Sequence, residues 1–209
     1  MTPAQKIALV ELWLDYGIED DTSLLDWEVL FGTKIPITIE IGFGNGQSLR
    51  QLATTDQNMA YIGIEPHRSG AGRLLMGLQE DALTNVKVII GDAVDTLTTR
   101  IAPQSVDQIL IFFPDPWPKK RHHKRRLLNA DFLHTLVNCL KPYGLIHIAT
   151  DWKDYAISIA GLIRNEPLLH NTAEDGFSLR PASRPETKYE RRGVRLGHTI
   201  YDIIASRNP

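Results

Sequence analysis

Pro114-Asp115-Pro116-Trp117 is the segment of this chain least like an ordinary turn. Two prolines restrict φ around Asp115 and bias Phe113 and Asp115 toward extended geometry. A carboxylate mounted this stiffly after an apolar run suits a group that must keep its place beside a reacting centre. Trp117 offers a flat ring on which a base could stack, and the plain alternative is a proline-rich turn plugged by a buried tryptophan. Two residues on, Lys119, Lys120, Arg121, Lys124, Arg125 and Arg126 put six positive charges into eight residues, with His122 and His123 between them. Such tracts are commonly solvated faces. Placed directly behind Asp115, this one would hold phosphates of a nucleic acid beside the chemistry, with salt-dependent binding. Adjacent histidines rarely aim at one ion, so no metal is expected there.

A second set of residues suits a nucleoside with a cationic tail. Glu40-Ile41-Gly42-Phe43-Gly44-Asn45-Gly46 ends a β-branched run in a glycine turn, where glycine permits positive φ and close ligand approach. A dinucleotide fold wants a third small residue at position 47, but Gln47 stands there. Glu40 would repel a diphosphate and suits a sulfonium or an α-amino group instead. A purely structural turn is the other reading of these glycines. Glu65 ends the next apolar run, where a carboxylate could accept from both ribose hydroxyls or simply sit in a solvated loop. Asp92 could accept from the exocyclic amine of adenine, with Val88 and Ala93 as nearby apolar surface, or could cap the helix that follows it.

These residues recur at the ends of similar elements. Ile37–Ile41, Tyr61–Ile64, Val86–Ile90, Ile109–Phe113 and Leu145–Ala149 are continuous apolar runs, as expected of parallel strands covered on both faces. Helical stretches lie between them, for example Asn129 to Leu140, closed by Lys141-Pro142-Tyr143-Gly144. The alternation predicts a doubly wound α/β sheet in one domain spanning residues 1–209. In such sheets ligands bind beyond the carboxyl ends of the strands. The stretch before Pro36, an apolar helix pattern over Ile7 to Leu14 and an acidic loop Glu19-Asp20-Asp21, is expected to pack against the sheet. From Gly176 to Gly197 the rhythm breaks into Arg-, Pro- and Gly-rich chain, and a last strand is expected over His198 to Ala205. Arg184 to Arg192 is either a solvated loop or a second contact surface. In the latter reading Thr187 and Glu190 face a base edge, preferably guanine's, while Lys188, Arg191 and Arg192 hold phosphate.

Bulk properties restrict the rest. The 209 residues carry a net charge of −2, and everything outside the basic tract therefore sums to −8, so the tract is a local feature. The single Cys139 excludes an intramolecular disulfide and suggests no cysteine-based metal site. No apolar run reaches the ~18 residues that span a membrane, the N-terminus lacks a signal-peptide pattern, and the cytoplasm is the default expectation.

Taken together, four stretches resemble the bacterial-type tRNA (guanine-N7-)-methyltransferase family: Ile39–Gly46, Phe112–Arg126, Ala149-Thr150-Asp151-Trp152, and Arg180–His198 with its Thr187-Lys188-Tyr189-Glu190. The likeness runs from about Pro3 to near the C-terminus, and the Phe-Pro-Asp-Pro-Trp segment with its basic tail is its most specific part. The resemblance implies a class I methyltransferase fold, a seven-stranded sheet with a reversed last strand. It implies transfer of the methyl group of S-adenosyl-L-methionine to N7 of the variable-loop guanosine of tRNA. By position it assigns Glu40, Gly42, Gly44, Gly46, Glu65, Asp92 and Asp115 to the cofactor, and Asp115 to catalysis as well. Lys119, Asp151, Thr187, Lys188, Tyr189 and Glu190 fall to the substrate, and Arg121, His122, His123, Lys124, Arg125 and Arg126 to RNA. Many relatives carry an Arg-rich N-terminal arm, whereas this sequence opens almost on its first helix, so the expectation is either weaker tRNA binding or a truncated sequence. Guanine N7 has no proton to remove, which casts Asp115 as a positioning and electrostatic group rather than a base. The rival expectations are an exocyclic-amine methyltransferase acting on RNA or DNA, and a non-catalytic RNA-binding subunit.

Overall fold

The computed structural model describes residues 1–19, 21 and 23–209, so Asp20 of the acidic loop lies outside the described residues. Seven strands form one sheet: β1 (Ile37–Ile41), β2 (Ala60–Ile64), β3 (Val86–Ile89), β4 (Val106–Phe112), β5 (Leu140–Thr150), β6 (Leu169–Asn171) and β7 (Tyr201–Arg207). Their order is β3-β2-β1-β4-β5-β7-β6. The first five are parallel, and β7 runs antiparallel to both β5 and β6. The doubly wound sheet with a reversed last strand is the expected fold.

The strand order reverses between β1 and β4, which opens a crevice beyond their carboxyl ends. Glu40 pairs with Leu110 and Ile41 with Ile111, so the glycine turn after β1 and the Pro114–Trp117 turn after β4 leave the sheet side by side. Both faces are covered, as the continuous apolar runs require. One core gathers α6 (Ala93–Thr99), α7 (Ala130–Cys139) and α8 (Lys153–Asn165) around Leu97, Phe132, Tyr155 and Ile159. The other gathers α1 (Pro3–Glu11), α4 (Gln47–Thr55) and α5 (Arg68–Glu80) around Leu9, Leu49, Leu74 and Leu78.

Local signals explain where the helices begin. Thr2 and Gln5 form a reciprocal capping box with Pro3 in the first turn of α1. Asp92 caps α6 and Asn129 caps α7. Two short helices, α2 (Trp13–Tyr16) and α3 (Trp27–Phe31), complete the N-terminal stretch. That stretch packs on α5, meets the β3 edge where Ile18 N–H donates to the Val88 carbonyl at 2.9 Å, and lays Leu25, Trp27, Leu30 and Phe31 against the first core.

Three expectations need correction. Lys141–Gly144 does not simply close α7 but lies inside β5, whose pairing with β4 shifts between Val106 and Gln108. Tyr143 takes φ 65° there, and Gly144 is packed so closely on the carbonyls of Lys141 and Asp107 that a Cβ would not fit. The Arg- and Gly-rich stretch holds a helix, α9 (Lys188–Arg195), capped by the Thr187 hydroxyl, which accepts from Glu190 N–H at 3.1 Å. The last strand begins at Tyr201 rather than His198, because His198 is drawn aside to Asp151, 2.8 Å away.

Candidate active site

Glu40 is the most buried of the candidate acids. It sits one residue from the end of β1, 3% exposed, with its Oε2 lacking any hydrogen-bond partner among the described residues. The Ser48 hydroxyl in the first turn of α4 is also buried without a partner. Burial pushes the Glu40 carboxyl up to about 8, and the nearby Ser48 side chain offsets only part of this. A buried carboxylate left without a partner is costly, and a cationic or strongly donating ligand would relieve it.

The glycine turn provides the opening above it. Gly42, Gly44 and Gly46 all have positive φ (72°, 59° and 75°), which other residues adopt only with strain. Space beside Gly42 is open, whereas Gly46 lies against Leu74 so closely that a Cβ would overlap that side chain. Glu65 ties this turn to the end of β2: its Oε2 accepts from Gly44 N–H at 2.9 Å and its Oε1 from His67 N–H at 3.1 Å. Asp92 takes the capping option, Oδ1 accepting from Val94 and Asp95 N–H at 2.8 and 3.0 Å. Its exposed position and remaining oxygen are compatible with a second, ligand-facing role.

The N-terminus of α9 closes this crevice. Thr187, Lys188 and Tyr189 line the same cavity as Glu40, Gly42, Asn45, Ser48 and Phe112, and only about 20 Å³ remains between them. The Tyr189 ring comes within 4.0 Å of the Cβ position of Gly44.

The turn after β4 departs at Phe113 from the extended geometry expected before a proline. Phe113 and Trp117, one on either side of Pro114-Asp115-Pro116, have φ of 55° and 42°. Left-handed backbone at bulky residues is strained and survives only where neighbours enforce it. Phe113 N–H donates to the Ala149 carbonyl at 2.7 Å, and its ring packs on the cluster of Leu110, Phe112 and Ala149. Asp115 is exposed between them. Trp117 is not an open stacking platform, because the Arg125 guanidinium covers its ring at 4.9 Å and His122 meets it edge-on at 6.0 Å.

The basic tract folds as a 3-10 helix over Lys120–Arg125, with Lys119 at its entrance. Lys119, Lys120, Arg121, Lys124 and Arg125 are exposed, and His122 and His123 are partly buried. Arg126 differs. It is 7% exposed and its guanidinium is taken up by protein groups, so it does not stand among the solvent-facing cations of the tract. Among the described residues no group of three metal-ligating side chains converges.

The second cluster divides in the same way. Lys188 and Tyr189 are exposed, Thr187 is half-buried at the helix cap, and Arg191 and Arg192 face solvent. Glu190 does not present its carboxylate to a base edge here, because Arg184 grips both oxygens at 2.6 and 2.8 Å, with Arg180 3.4 Å away. Arg184 was missed as a positioning group, since nothing local marks that arginine as fully buried. Asp202 lies on its other side and pairs in turn with His147 at 2.7 Å. The Arg184 guanidinium also rests over Phe112 and Phe113 at 5.8 and 6.0 Å, so α9 and the Asp115 turn share one support. Asp151 stands at the wall of a larger cavity of about 340 Å³, lined with Trp152, Lys153, Asp154, His198, Thr199 and Tyr201.

Comparison with known proteins agrees with this geometry. A family described as "Putative methyltransferase" matches residues 34–203. A tRNA (guanine-N(7)-)-methyltransferase of Nitrosospira multiformis is 46% identical over 204 residues, 98% of this chain and 89% of that relative. One of Legionella pneumophila is 47% identical over 199 residues, covering 93% and 88%. One of Leifsonia xyli subsp. xyli is 44% identical over 203 residues, covering 97% and 89%. Among solved structures, an antibiotic-related methyltransferase superposes with a TM-score of 0.58 at 19% identity, covering 91% of this chain and 98% of that one. A SAM-dependent O-methyltransferase of Thermotoga maritima gives 0.55 at 16% identity, covering 90% and 68%. At these identities the structural likeness speaks for the fold alone, whereas the sequence relatives span almost the whole chain. The chain belongs to the tRNA (guanine-N(7)-)-methyltransferase family.

Proposed function

We propose that this chain methylates N7 of the variable-loop guanosine of tRNA, using S-adenosyl-L-methionine as donor. The observation that carries the reading is the pairing of β1 with β4, which sets an unpartnered buried Glu40 and an open glycine turn beside the Asp115 turn and its basic tract. The relatives' names supply the substrate class.

The residues present fit the donor. Glu40 suits its cationic end, Gly42 leaves room for close approach, and Glu65 and Asp92 sit at the next two strand ends for ribose and adenine. When bound, the donor supplies an electrophilic methyl group on a sulfonium. A ligand of this size needs a site of roughly 300 Å³ or more. Thr187, Lys188 and Tyr189 at the start of α9 narrow the approach to Glu40 at one end of such a site.

Guanine N7 offers an in-plane lone pair and carries no proton at neutral pH, so none of these residues has to act as a base. Asp115 holds negative charge where positive charge grows on the purine, and alignment supplies most of the acceleration. The exposed cations Lys119, Arg121, Lys124 and Arg125 hold phosphates near the target. With both Glu190 oxygens committed to Arg184, the half-buried Asp151, engaged by His198 through Oδ2 alone, is the carboxylate with an oxygen left to accept from guanine. The target base has to leave its own contacts to reach the site.

The test is to incubate the pure chain with unmodified tRNA and labelled S-adenosyl-L-methionine, then digest and identify the nucleoside. 7-Methylguanosine is expected. N6-methyladenosine or N2-methylguanosine would overturn the N7 reading, and absence of transfer would overturn the enzymatic one.

A further inference from the structure

We propose that Arg126 is a positioning residue that braces the Asp115 turn from behind, rather than one of the phosphate contacts of the basic tract. The proposal rests on the reading above that the Asp115 turn is the reaction centre.

Six cations lie in this tract, and five of them are exposed. Arg126 alone is buried, and its guanidinium is gripped on several sides. Nε donates to the Pro116 carbonyl at 2.9 Å. One terminal nitrogen donates to Asp154 Oδ2 at 2.6 Å and lies 3.1 Å from His123 Nε2. The planar group stacks 4.7 Å over the ring of Tyr155, a residue wholly buried at the start of α8. An arginine held this way has little left to offer a phosphate, and its charge is already met by Asp154, whose carboxyl it holds below the usual range.

What it holds is the strained part of the site. The Pro116 carbonyl lies between Asp115 and Trp117, in a turn whose two flanking aromatic residues both have left-handed φ. Such backbone costs about 1–3 kcal/mol per residue and needs neighbours that over-determine it. On the Phe113 side the Ala149 carbonyl and the apolar cluster do this. On the Trp117 side the backbone anchor is Arg126, held in turn by Asp154 and Tyr155 of α8 and by His123 of the tract. Lysine could supply the charge but not the fork that reaches Pro116 and Asp154 together.

Arg126→Lys, Arg126→Met and Asp154→Asn in the full chain test this, with tRNA affinity followed across a salt series and methyl transfer measured in single turnover at saturating tRNA. Arg126→Met is expected to slow transfer roughly 10- to 100-fold, the scale of a small misplacement, with the salt slope unchanged. Arg126→Lys should stay slow despite its charge. Asp154→Asn, a change at an exposed position, should slow transfer in the same direction by a smaller factor and be less than additive with Arg126→Lys. If Arg126→Met fails to fold, the other two variants decide. A salt slope that falls by the amount expected for one phosphate, with both slope and rate restored in Arg126→Lys, would overturn the proposal. Asp115→Asn run alongside separates the two readings: normal transfer by that variant overturns the part given to Asp115, and normal transfer by Arg126→Lys overturns the part given to Arg126.

Discussion

Arg184 and Glu190 face each other as a two-pronged pair, at 2.6 and 2.8 Å, in a place that solvent does not reach. The pair joins α9 to the strand ends. Arg184 also meets Asp202 on β7 and covers Phe112 and Phe113 at the end of β4. Breaking a buried ion pair by removing one partner leaves the other charge uncompensated and costs about 3–5 kcal/mol. Arg184→Met leaves two carboxylates behind, so a loss on that scale is expected in urea denaturation. For a chain of this length it corresponds to a fall of roughly 6–20 °C in Tm. A loss below about 1 kcal/mol would mean that α9 is not held through Arg184.

Glu40 makes stability depend on pH in an unusual direction. Its carboxyl is raised from 4.5 to about 8 by burial, so between those values the folded chain keeps a proton that the unfolded chain has lost. Stability from this group is present in full below about pH 4.5 and is lost as pH rises through 8, with a slope approaching about 1.4 kcal/mol per unit. Glu40→Gln removes the titration. Without cofactor, the variant should be more stable relative to the parent at pH 8 than at pH 5, while binding S-adenosyl-L-methionine more weakly. An identical pH profile in both proteins would show that Glu40 titrates normally.

Asp115→Asn keeps the shape of the turn and removes its charge. Single-turnover methyl transfer should fall far more than cofactor affinity, because the charge is called on only as the purine becomes positive. Equal losses in the two measurements would make Asp115 a binding group only.

Lys124→Ala and Lys119→Ala remove exposed cations on the proposed RNA side. Each should weaken tRNA binding and reduce its salt slope by roughly 0.7–0.9 for each phosphate that is no longer neutralised. Transfer at saturating tRNA should change much less for Lys124, which lies farther along the tract from Asp115 than Lys119. A salt slope identical to that of the parent would argue that phosphates bind elsewhere.

The acids Glu40, Glu65 and Asp92 were legible as candidates because each lies at or just beyond the end of an apolar run, and strand ends are where this fold presents ligand-binding groups. The glycine turn was legible for a local reason too, since three glycines in five residues announce positive φ, and all three have it. The geometry of Phe113 was not. Proline favours an extended residue before it, but the Ala149 carbonyl and the apolar cluster outweigh that local preference.

Pro114-Asp115-Pro116-Trp117 and the charges behind it determined the kind of chemistry, and the period of the apolar runs determined the sheet that carries it, since both are written in residue types a few positions apart. Tertiary structure alone decided which charges face solvent. Arg125 and Arg126 are neighbours of the same type, yet one lies outermost over Trp117 and the other is buried against Asp154, 28 positions further on. Glu190 is likewise turned from a candidate base contact into the partner of Arg184 by a fold that brings Asp202 and Phe112 to the same place. Whether an ionised side chain meets water or a partner depends on contacts distant in the chain, and no local pattern encodes them.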